Sequence, residues 1–421
     1  MLIMKQLCSS LGSALEWFEF AVYGFLGPIL SQVFFEYLTH NSWIALLNTY
    51  MVFAMGFVAR PVGALIFGYI GDRYDRLCAL KLTPILLGLT TAAIALLPSA
   101  HVGGIASILA LILLRLLQGI ALGGEVAGNM VYLCELSATK PYLWGSIASC
   151  SGCLGTLLAS TVAGLCFTHF SYTFMIHYGW RIIFLSAIPL CALSFWARKN
   201  LITQTSSSSQ NLALNPIALC FKYHKPIFLR GLGVIFLHAI SFYFVFTFIP
   251  LYLNQVRGLH ASAALMHNSA FLLIHFLLIP GFGLITNYLG GLKANMLIAI
   301  LFAITALPGM YYLAYGSSTS ITLILFCLST MTAANAAIIP GLLTTLIPYA
   351  IRYTMLALIV NIGFGIFGGL TPVIAIFLIH QLGDIMAPSL YLLLSALITL
   401  TACIFTQRTM SYYETRQLPE N

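Results

Sequence analysis

Charged residues are scarce in this sequence. Aspartate, glutamate, lysine and arginine together make up 7% of its 421 residues, against about 25% in an average soluble domain. Hydrophobic residues make up 60%, so the few charges cannot cover the surface of a water-soluble chain of this length. The composition therefore excludes an ordinary soluble domain and indicates that lipid is the main solvent.

The motifs of several protein classes are also missing. We find no Ser/His/Asp set, H-E-x-x-H motif, paired aspartates or nucleotide-binding loop, which argues against a membrane enzyme. The net charge of +8 is not gathered into a basic patch with interleaved aromatic residues. Nucleic acid is therefore not an expected partner, and no metal or other cofactor is expected.

The ten cysteines lack the spacing of a disulfide framework. Cys150 and Cys153 form a C-x-x-C element, but no second pair of cysteines or histidines accompanies them at metal-ligand spacing. They lie in a stretch of small residues, SIASCSGCLGTLLAS (146–160), of the kind that lets membrane helices pack closely. We interpret them as packing residues.

What the sequence does contain is a series of twelve apolar runs. About 20 apolar residues are needed for a helix to cross a bilayer. The runs cover residues 12–36, 44–69, 80–99, 105–133, 143–167, 180–197, 229–253, 264–287, 294–314, 320–349, 354–378 and 388–407. They predict an all-α integral membrane protein of twelve transmembrane helices in two six-helix halves. We place the first half at 1–200, a cytoplasmic linker at 201–228, and the second half with a short cytoplasmic tail at 229–421.

The positive charges predict the orientation of the chain. Outside the apolar runs, the lysines and arginines fall on the side of the two termini, except for Arg181 and Arg257. Since cytoplasmic loops are enriched in lysine and arginine, both termini are expected in the cytoplasm. The halves also echo each other, with GYIGDRYDR (68–76) after the second run and GLITNYLGG (283–291) after the eighth. Duplicated halves with a binding site between them are typical of secondary transporters.

Five charged residues lie in the interior of the runs, away from their first two and last two positions. Glu16 and Glu19 are three residues apart and share one helix face, and Glu125, Arg115 and Arg60 lie in the fourth and second runs. A charge within a membrane usually faces protein or a water-filled path. A desolvated carboxyl can take up and release a proton near neutral pH, so the three glutamates are predicted to be proton-coupling residues. The arginines are predicted to bind a substrate carboxylate, and fixed structural ion pairs are the alternative.

The seventh run is unusually aromatic, with the sequence SFYFVFTFIPLYL (241–253). Aromatic faces can hold an organic cation, although such a run can also simply pack. Tyr243 is the best single candidate because its hydroxyl needs a partner, and Pro250 predicts a bend or break. His238 and His275 are predicted to be either proton relays or side chains bonded to a neighbouring helix.

Several long stretches together resemble one family. SSLGSALEWFEFAVYGFLGPIL (9–30), FVARPVGALIFGYIGDR (57–73) and LLRLLQGIALGGEVAG (113–128) resemble the first, second and fourth helices of the metabolite:proton symporters. That family belongs to the major facilitator superfamily and includes proline/betaine, α-ketoglutarate, citrate and shikimate carriers. It usually has aspartate where Glu19 stands.

The resemblance implies roles for particular residues. Asp72 and Arg73, with Arg76, would control the change between inward-facing and outward-facing forms. The candidate substrate-binding residues are Arg60, Arg115, Tyr23, Gln118, Tyr243 and Asn361. The second copy of the loop motif departs from the superfamily pattern, because Asn287 and Tyr288 replace Asp-Arg.

The function expected from these features is proton-coupled uptake of a small zwitterionic or anionic metabolite by alternating access. Proline or glycine betaine is the leading substrate, and a dicarboxylate of the α-ketoglutarate or citrate type is the alternative. A transporter-like sensor or a non-transporting partner protein is the alternative from another class. We expect a monomer in the lipid bilayer of the bacterial inner membrane, driven by the proton gradient without a cofactor.

Overall fold

The structure is a computed structural model that describes residues 2–39, 41–73, 76–123, 125–135, 139–199, 224–348 and 351–416. Within helices, the side chains of residues 2–12, 67–81 and 125, among others, lie outside the described part. All regular secondary structure in the described part is helical, in agreement with the predicted fold class.

The described helices group into twelve spans. In chain order, spans 1 to 6 are Leu2–Phe25 with Gly27–Leu30, Ser31–Phe35 and Glu36–Thr39; Ser42–Val58 with Arg60–Arg73; Arg76–Leu96; Ala100–Leu122 with Glu125–Glu135; Pro141–His169; and Tyr172–Phe174 with Met175–Gly179, Trp180–Leu185 and Ala187–Lys199. Spans 7 to 12 are Lys225–Tyr243 with Phe244–Phe248 and Ile249–Gln255; Ala261–Leu289; Gly291–Tyr315; Ser318–Leu346; Arg352–Val360 with Asn361–Gly368 and Thr371–Leu382; and Pro388–Arg416.

Length and apolarity in the described residues support a membrane crossing for eleven of these spans. Ten helices of the described part are long and apolar enough to cross a membrane, and the first span passes the same test as a pair of helices bent by 56°. The remaining span, the third, contains the shorter apolar helix Ile85–Leu96. The sixth span begins at Tyr172, earlier than the predicted residue 180, because Ser171 caps it by accepting a hydrogen bond from the Phe174 amide. Most of the predicted linker lies outside the described residues, so the domain boundaries stay a prediction.

Two prolines at equivalent places in the two halves each leave a backbone carbonyl without its helical donor. A proline inside a helix has no N–H, so the carbonyl four residues earlier loses its donor. In span 1, Pro28 frees the carbonyl of Gly24, which accepts a hydrogen bond from the Tyr50 hydroxyl at 2.8 Å. In span 7, Pro250 frees the carbonyl of Phe246, which accepts one from Asn268 Nδ2 at 3.2 Å. In each half, the next span thus supplies the donor.

The helix does not break at Pro250 but contains a short π-helical segment just before it. Residues Phe244–Phe248 are π-helical, and Lys225–Gln255 remains one continuous span. Side-chain donors from neighbouring helices make such irregular backbone tolerable inside a membrane.

Two further freed carbonyls connect the halves. Pro340 frees the carbonyl of Ala336 in span 10, which accepts a hydrogen bond from the Ser149 hydroxyl at 2.7 Å. Pro280 frees the carbonyl of Phe276 in span 8, which accepts one from the Cys150 thiol at 3.8 Å. Both donors belong to span 5. The Cys153 thiol also donates to span 8, at the carbonyl of Leu272, so both cysteines of the C-x-x-C element serve helix packing.

Replacement of Ser149 by alanine should weaken the contact between the halves. The Ala336 carbonyl would be left buried without a donor, at a cost of about 1–3 kcal/mol in the closed form. We expect at least about a fivefold fall in the ratio of molecules closed at the start of span 5 to molecules open there. This ratio is measured by electron–electron resonance between spin labels at positions 140 and 288, which lie where span 5 begins and span 8 ends. Thr161→Val is the matched control, because the Thr161 hydroxyl bonds only within its own helix, to Leu157. Identical distance distributions for Ser149→Ala and the wild type would contradict this account.

Candidate functional site

One face of span 1 carries the polar residues of the site. Glu16, Glu19, Phe20 and Tyr23 follow the spacing that places side chains on a single helix face, and all four are buried. Glu16 is 0% exposed and Glu19 is 1% exposed. Carboxyl groups buried to this extent need partners, and the partners come from spans 2, 3, 4 and 6.

Span 2 supplies the partner of Glu16. Arg60 Nη2 lies 2.6 Å from Glu16 Oε1, and both side chains are fully buried. The Cζ atom of Arg60 lies 4.7 Å from the ring centroids of both Phe20 and Phe57. The guanidinium is therefore stabilised by one ion pair and two aromatic faces.

Span 4 places a second guanidinium on the same aromatic group. The Cζ atom of Arg115 lies 4.6 Å from the Phe20 ring centroid and 4.3 Å from that of Tyr23. The Phe20 ring thus contacts both arginines. Without these aromatic faces, two buried cations so close together would be harder to accommodate.

Glu19 is held by a chain of hydrogen bonds. Its Oε2 accepts from the Thr91 hydroxyl, and its Oε1 accepts from the Cys191 thiol at 3.3 Å. Gln118 Nε2 donates to Thr91 Oγ1 at 2.7 Å, and Arg115 Nη1 donates to Gln118 Oε1 at 2.8 Å. Arg115 is thus linked to Glu19 through two intermediate side chains.

Glycines bring spans 2 and 4 close enough for this arrangement. A Cβ atom at Gly119 would collide with the carbonyl oxygen of Gly56, and one at Gly63 would collide with that of Ile120. Backbone-to-backbone packing of this kind requires glycine on membrane helices. It explains how Arg60 and Arg115, from different helices, reach the same ring.

The cluster contains more hydrogen-bond donors than acceptors. Among the described residues, Arg115 Nε and Nη2, Arg60 Nε, and the hydroxyls of Tyr23 and Tyr243 are buried without a hydrogen-bond partner. Buried polar groups are nearly always satisfied. A group of unsatisfied donors around a guanidinium is suited to accept a carboxylate.

A cavity of about 40 Å³ lies beside this cluster, between the halves. Its walls include the aromatic rings of Trp17, Phe242 and Phe364 and the imidazoles of His238 and His275. This volume holds a few water molecules, and ligand pockets are usually about 300–1,000 Å³. The cavity must therefore widen before a solute can bind.

The two histidines differ in their bonding. His275 Nδ1 lies 3.2 Å from the carbonyl oxygen of Ser329 in span 10, so this histidine is bonded to a neighbouring helix, one of the two predicted roles. His238 packs edge-on against Phe364, with ring centroids 5.0 Å apart. Its Nδ1 has no hydrogen-bond partner among the described residues.

The halves contact each other on both sides of the cavity. Where span 5 begins, the Tyr142 amide donates to Asn287 Oδ1 at 3.4 Å, and the Gly291 amide donates to the Tyr142 hydroxyl at 3.2 Å. In the second half of span 5, nine residues before its end at His169, Ser160 accepts from Asn268 at 3.1 Å. Asn287 therefore takes part in a contact between the halves, although it departs from the superfamily's loop motif.

Most predicted site residues meet in the cluster or beside it. Those in the cluster are Glu16, Glu19, Tyr23, Arg60, Arg115 and Gln118. The ring of Tyr243 lies between the cluster and the cavity, with its centroid 5.5 Å from that of Phe57 and 6.1 Å from that of Trp17. Asn361 is used differently, since its Nδ2 donates to the carbonyl of Gly123 at 2.8 Å and ties span 11 to span 4.

Four predicted residues cannot be placed at the level of side chains. Glu125 begins the second helix of span 4, Arg73 ends span 2, and Arg76 begins span 3. The side chains of these residues and of Asp72 lie outside the described part of the structure. Their roles stay predictions.

Comparison with known proteins identifies the family. The model of the Major Facilitator Superfamily matches residues 11–358. The chain belongs to this superfamily. Its members are transporters rather than enzymes, and the chain is accordingly a multi-pass membrane protein.

Individual relatives of this major facilitator protein extend along most of the chain. A Staphylococcus aureus (strain COL) protein, provisionally named a proline/betaine transporter, is 31% identical over 395 residues, covering 91% of this chain and 84% of the relative. The ectoine/proline transporter ProP of Corynebacterium glutamicum is 28% identical over 414 residues, covering 94% and 82%. The crystal structure of a D-xylose–proton symporter matches the fold with a TM-score of 0.76 at 18% identity, covering 96% of this chain and 97% of that one.

Proposed function

We propose that this major facilitator protein imports a small zwitterionic solute together with protons. Proline and glycine betaine are the leading substrates. Glu16, Glu19 and Glu125 are the proposed proton-coupling residues, and Arg115 is the main proposed carboxylate-binding residue. No cofactor takes part, because the proton gradient supplies the free energy.

The observation that carries this proposal is the position of Arg115. Its Nη1 is bonded through Gln118 and Thr91 to Glu19, while its Nε and Nη2 have no partner among the described residues. A single guanidinium thus faces a protonatable carboxyl on one side and offers free donors on the other. Coupled transport requires that proton binding and substrate binding influence each other, and this chain of hydrogen bonds connects the two groups.

The hydrogen-bond donors of the cluster favour a substrate with one carboxylate over a substrate with two. Arg60 already has the Glu16 carboxylate as its partner at 2.6 Å. Among the described residues of the cluster, Arg115 is the guanidinium with two N–H groups, Nε and Nη2, that lack a hydrogen-bond partner. A bidentate arginine binds one carboxylate well, whereas a dicarboxylate would need a second such group. This favours a monocarboxylate zwitterion over α-ketoglutarate or citrate.

The cationic end of the solute would lie in the aromatic cavity. Trp17 contacts Phe242 and Phe364, with ring centroids 5.3 and 5.4 Å away, and all three rings line the cavity. Aromatic faces attract organic cations such as quaternary ammonium groups. The names of the Staphylococcus aureus and Corynebacterium glutamicum relatives, which refer to proline, betaine and ectoine, support a solute of this type.

Alternating access is the proposed mechanism, with both termini in the cytoplasm and the chain in the bacterial inner membrane. The contacts of Tyr142 at the start of span 5 and of Ser160 in its second half could open one at a time. Asp72, Arg73 and Arg76 are the proposed gating residues on the cytoplasmic side. The distribution of lysines and arginines supports this orientation.

A panel of solutes tests the substrate class. Purified protein should be stabilised against thermal unfolding by proline, glycine betaine or ectoine, and proteoliposomes should take up the stabilising solute. Stabilisation by α-ketoglutarate or citrate alone would overturn the substrate assignment. Stabilisation without any flux would favour the transporter-like sensor.

Replacement of Trp17 by leucine should weaken the binding of a cationic solute. A buried cation–π contact contributes up to about 2 kcal/mol, so we expect KM for glycine betaine to rise about tenfold while Trp17→Phe keeps most of the affinity. Trp43→Leu is the control, because Trp43 lies at the start of span 2 and does not line the cavity. An unchanged KM in Trp17→Leu would remove Trp17 from the substrate site.

A further inference from the structure

Thr91 occupies a position that its sequence context does not suggest. It lies in the apolar span 3, is fully buried, and places its hydroxyl between Glu19 and Gln118. Its neighbour Thr90 behaves as threonine usually does in a membrane helix, with its hydroxyl donating to the carbonyls of Leu86 and Leu87. The Thr91 hydroxyl therefore bonds to side chains of other spans, whereas the Thr90 hydroxyl bonds to its own helix.

The hydrogen bonds of the chain all run in one direction. Arg115 donates to Gln118, Gln118 donates to Thr91, and Thr91 donates to Glu19. Every donor thus points toward the carboxyl group, which suits its ionised form because each bond strengthens the next. Glu19 and Arg115 have no direct hydrogen bond in the described structure, so the two intermediate side chains carry the connection.

We infer that Thr91 is a positioning residue that transmits the protonation state of Glu19 to Arg115 through Gln118. The inference rests on the proposed function, because it explains how proton uptake changes the substrate site. It adds a residue from span 3 to a site that sequence reasoning built from spans 1, 2, 4, 7 and 11.

The transmission follows from the charge at the end of the chain. A proton arriving from water bonds to a carboxyl oxygen of Glu19, which loses its negative charge. The bond from Thr91 then no longer ends on an ionised acceptor, and the bonds from Gln118 and Arg115 behind it weaken with it. Gln118 turns more easily, and Arg115 Nη1 becomes available to a substrate carboxylate. Protonation of Glu19 should therefore raise the affinity for substrate.

Other charged and titratable groups surround this chain. In the described residues they are Glu16 and Tyr23 on span 1, Arg60 on span 2, Cys191 on span 6, and Tyr243 on span 7. Cys191 also bonds to Glu19, at 3.3 Å, but no hydrogen bond among the described residues connects it to Arg115. In the described structure, none of these groups is bonded to both Glu19 and Gln118, as Thr91 is.

Thr91→Val tests the inference, because valine keeps the shape and removes the hydroxyl. In proteoliposomes, the wild type should show a KM for proline or betaine that falls as the external solution is acidified. Thr91→Val should lose this pH dependence, because its chain is always broken, and its KM at alkaline pH should be about tenfold below that of the wild type. Thr91→Ser should restore the pH dependence, and Thr90→Val should behave as the wild type.

A second variant tests the same chain independently, in case Thr91→Val does not fold. Gln118→Leu interrupts the chain on the other side of Thr91 and should give the same pH-independent KM. The double variant should have the same pH-independent KM as either single variant, because both substitutions break one chain. Full pH dependence in Thr91→Val would overturn the inference, whereas a wild type without any pH dependence would overturn the proposed proton coupling instead.

Discussion

Glu19→Gln should transport its substrate without concentrating it. Glutamine keeps the size of the side chain and can still hydrogen-bond to Thr91 and Cys191, which contact Glu19 in the native protein. It cannot bind and release a proton. A gradient of one pH unit supplies about 1.4 kcal/mol per proton, enough for about tenfold accumulation at one proton per solute. We expect the internal-to-external ratio to fall to about one in the variant.

Exchange of labelled for unlabelled solute should persist in Glu19→Gln, because exchange needs only a binding site that alternates between the two sides. Glu19→Asp should keep part of the accumulation, since it retains a carboxyl group. Glu36→Gln is the matched control, because Glu36 lies at the end of span 1, away from the cluster. Undiminished accumulation in Glu19→Gln would show that another group carries the proton.

Arg60→Met should destabilise the protein strongly. The substitution leaves the Glu16 carboxylate, which is 0% exposed, without the guanidinium that now lies 2.6 Å away. Removing one partner of a buried ion pair typically costs about 3–5 kcal/mol, because the other charge stays buried and uncompensated. We expect the thermal unfolding temperature of the detergent-solubilised variant to fall well below that of the wild type.

The double variant Glu16→Gln/Arg60→Met separates structure from transport. Removal of both charges should recover most of the lost stability, as it does for other buried pairs. Transport should remain impaired in the double variant, because Glu16 is a proposed proton-coupling residue and Arg60 is a predicted substrate-binding residue. Equal stability of Arg60→Met and the wild type would mean that Glu16 has another sufficient partner.

The charged residues of the site were predictable because charge is rare in an apolar run. Glu16, Glu19, Arg60 and Arg115 are costly inside a membrane, so their presence alone singles them out. The structure brings all four to one side of span 1. The twelve spans were predictable for the same physical reason, since long apolar runs have few alternatives in lipid.

The residues that link these charges could not be predicted. Thr91 and Cys191 are common types in membrane helices, and only the packing of spans 3 and 6 against span 1 shows that they contact Glu19. The residues that donate to freed carbonyls, such as Tyr50 and Ser149, could not be predicted either. A proline indicates a free carbonyl four residues earlier, but the sequence does not show which helix supplies the donor.

Asn361 shows how a polar residue inside a span can serve helix packing. It is predicted to bind substrate, and in the structure its amide nitrogen donates to the carbonyl of Gly123 and joins the two halves, so its role in binding stays a prediction. A polar residue inside a membrane signals a bonding need. Whether that need is met by a solute or by another helix depends on the packing of the folded chain.

Uptake of proline or glycine betaine into proteoliposomes, with and without an imposed pH gradient, tests the central claim most directly. The account predicts that the solute accumulates above its external concentration when the outside is more acidic, and that it only equilibrates when the gradient is collapsed. Uptake at the same rate and to the same level under both conditions would contradict proton coupling and leave a facilitator or an exchanger.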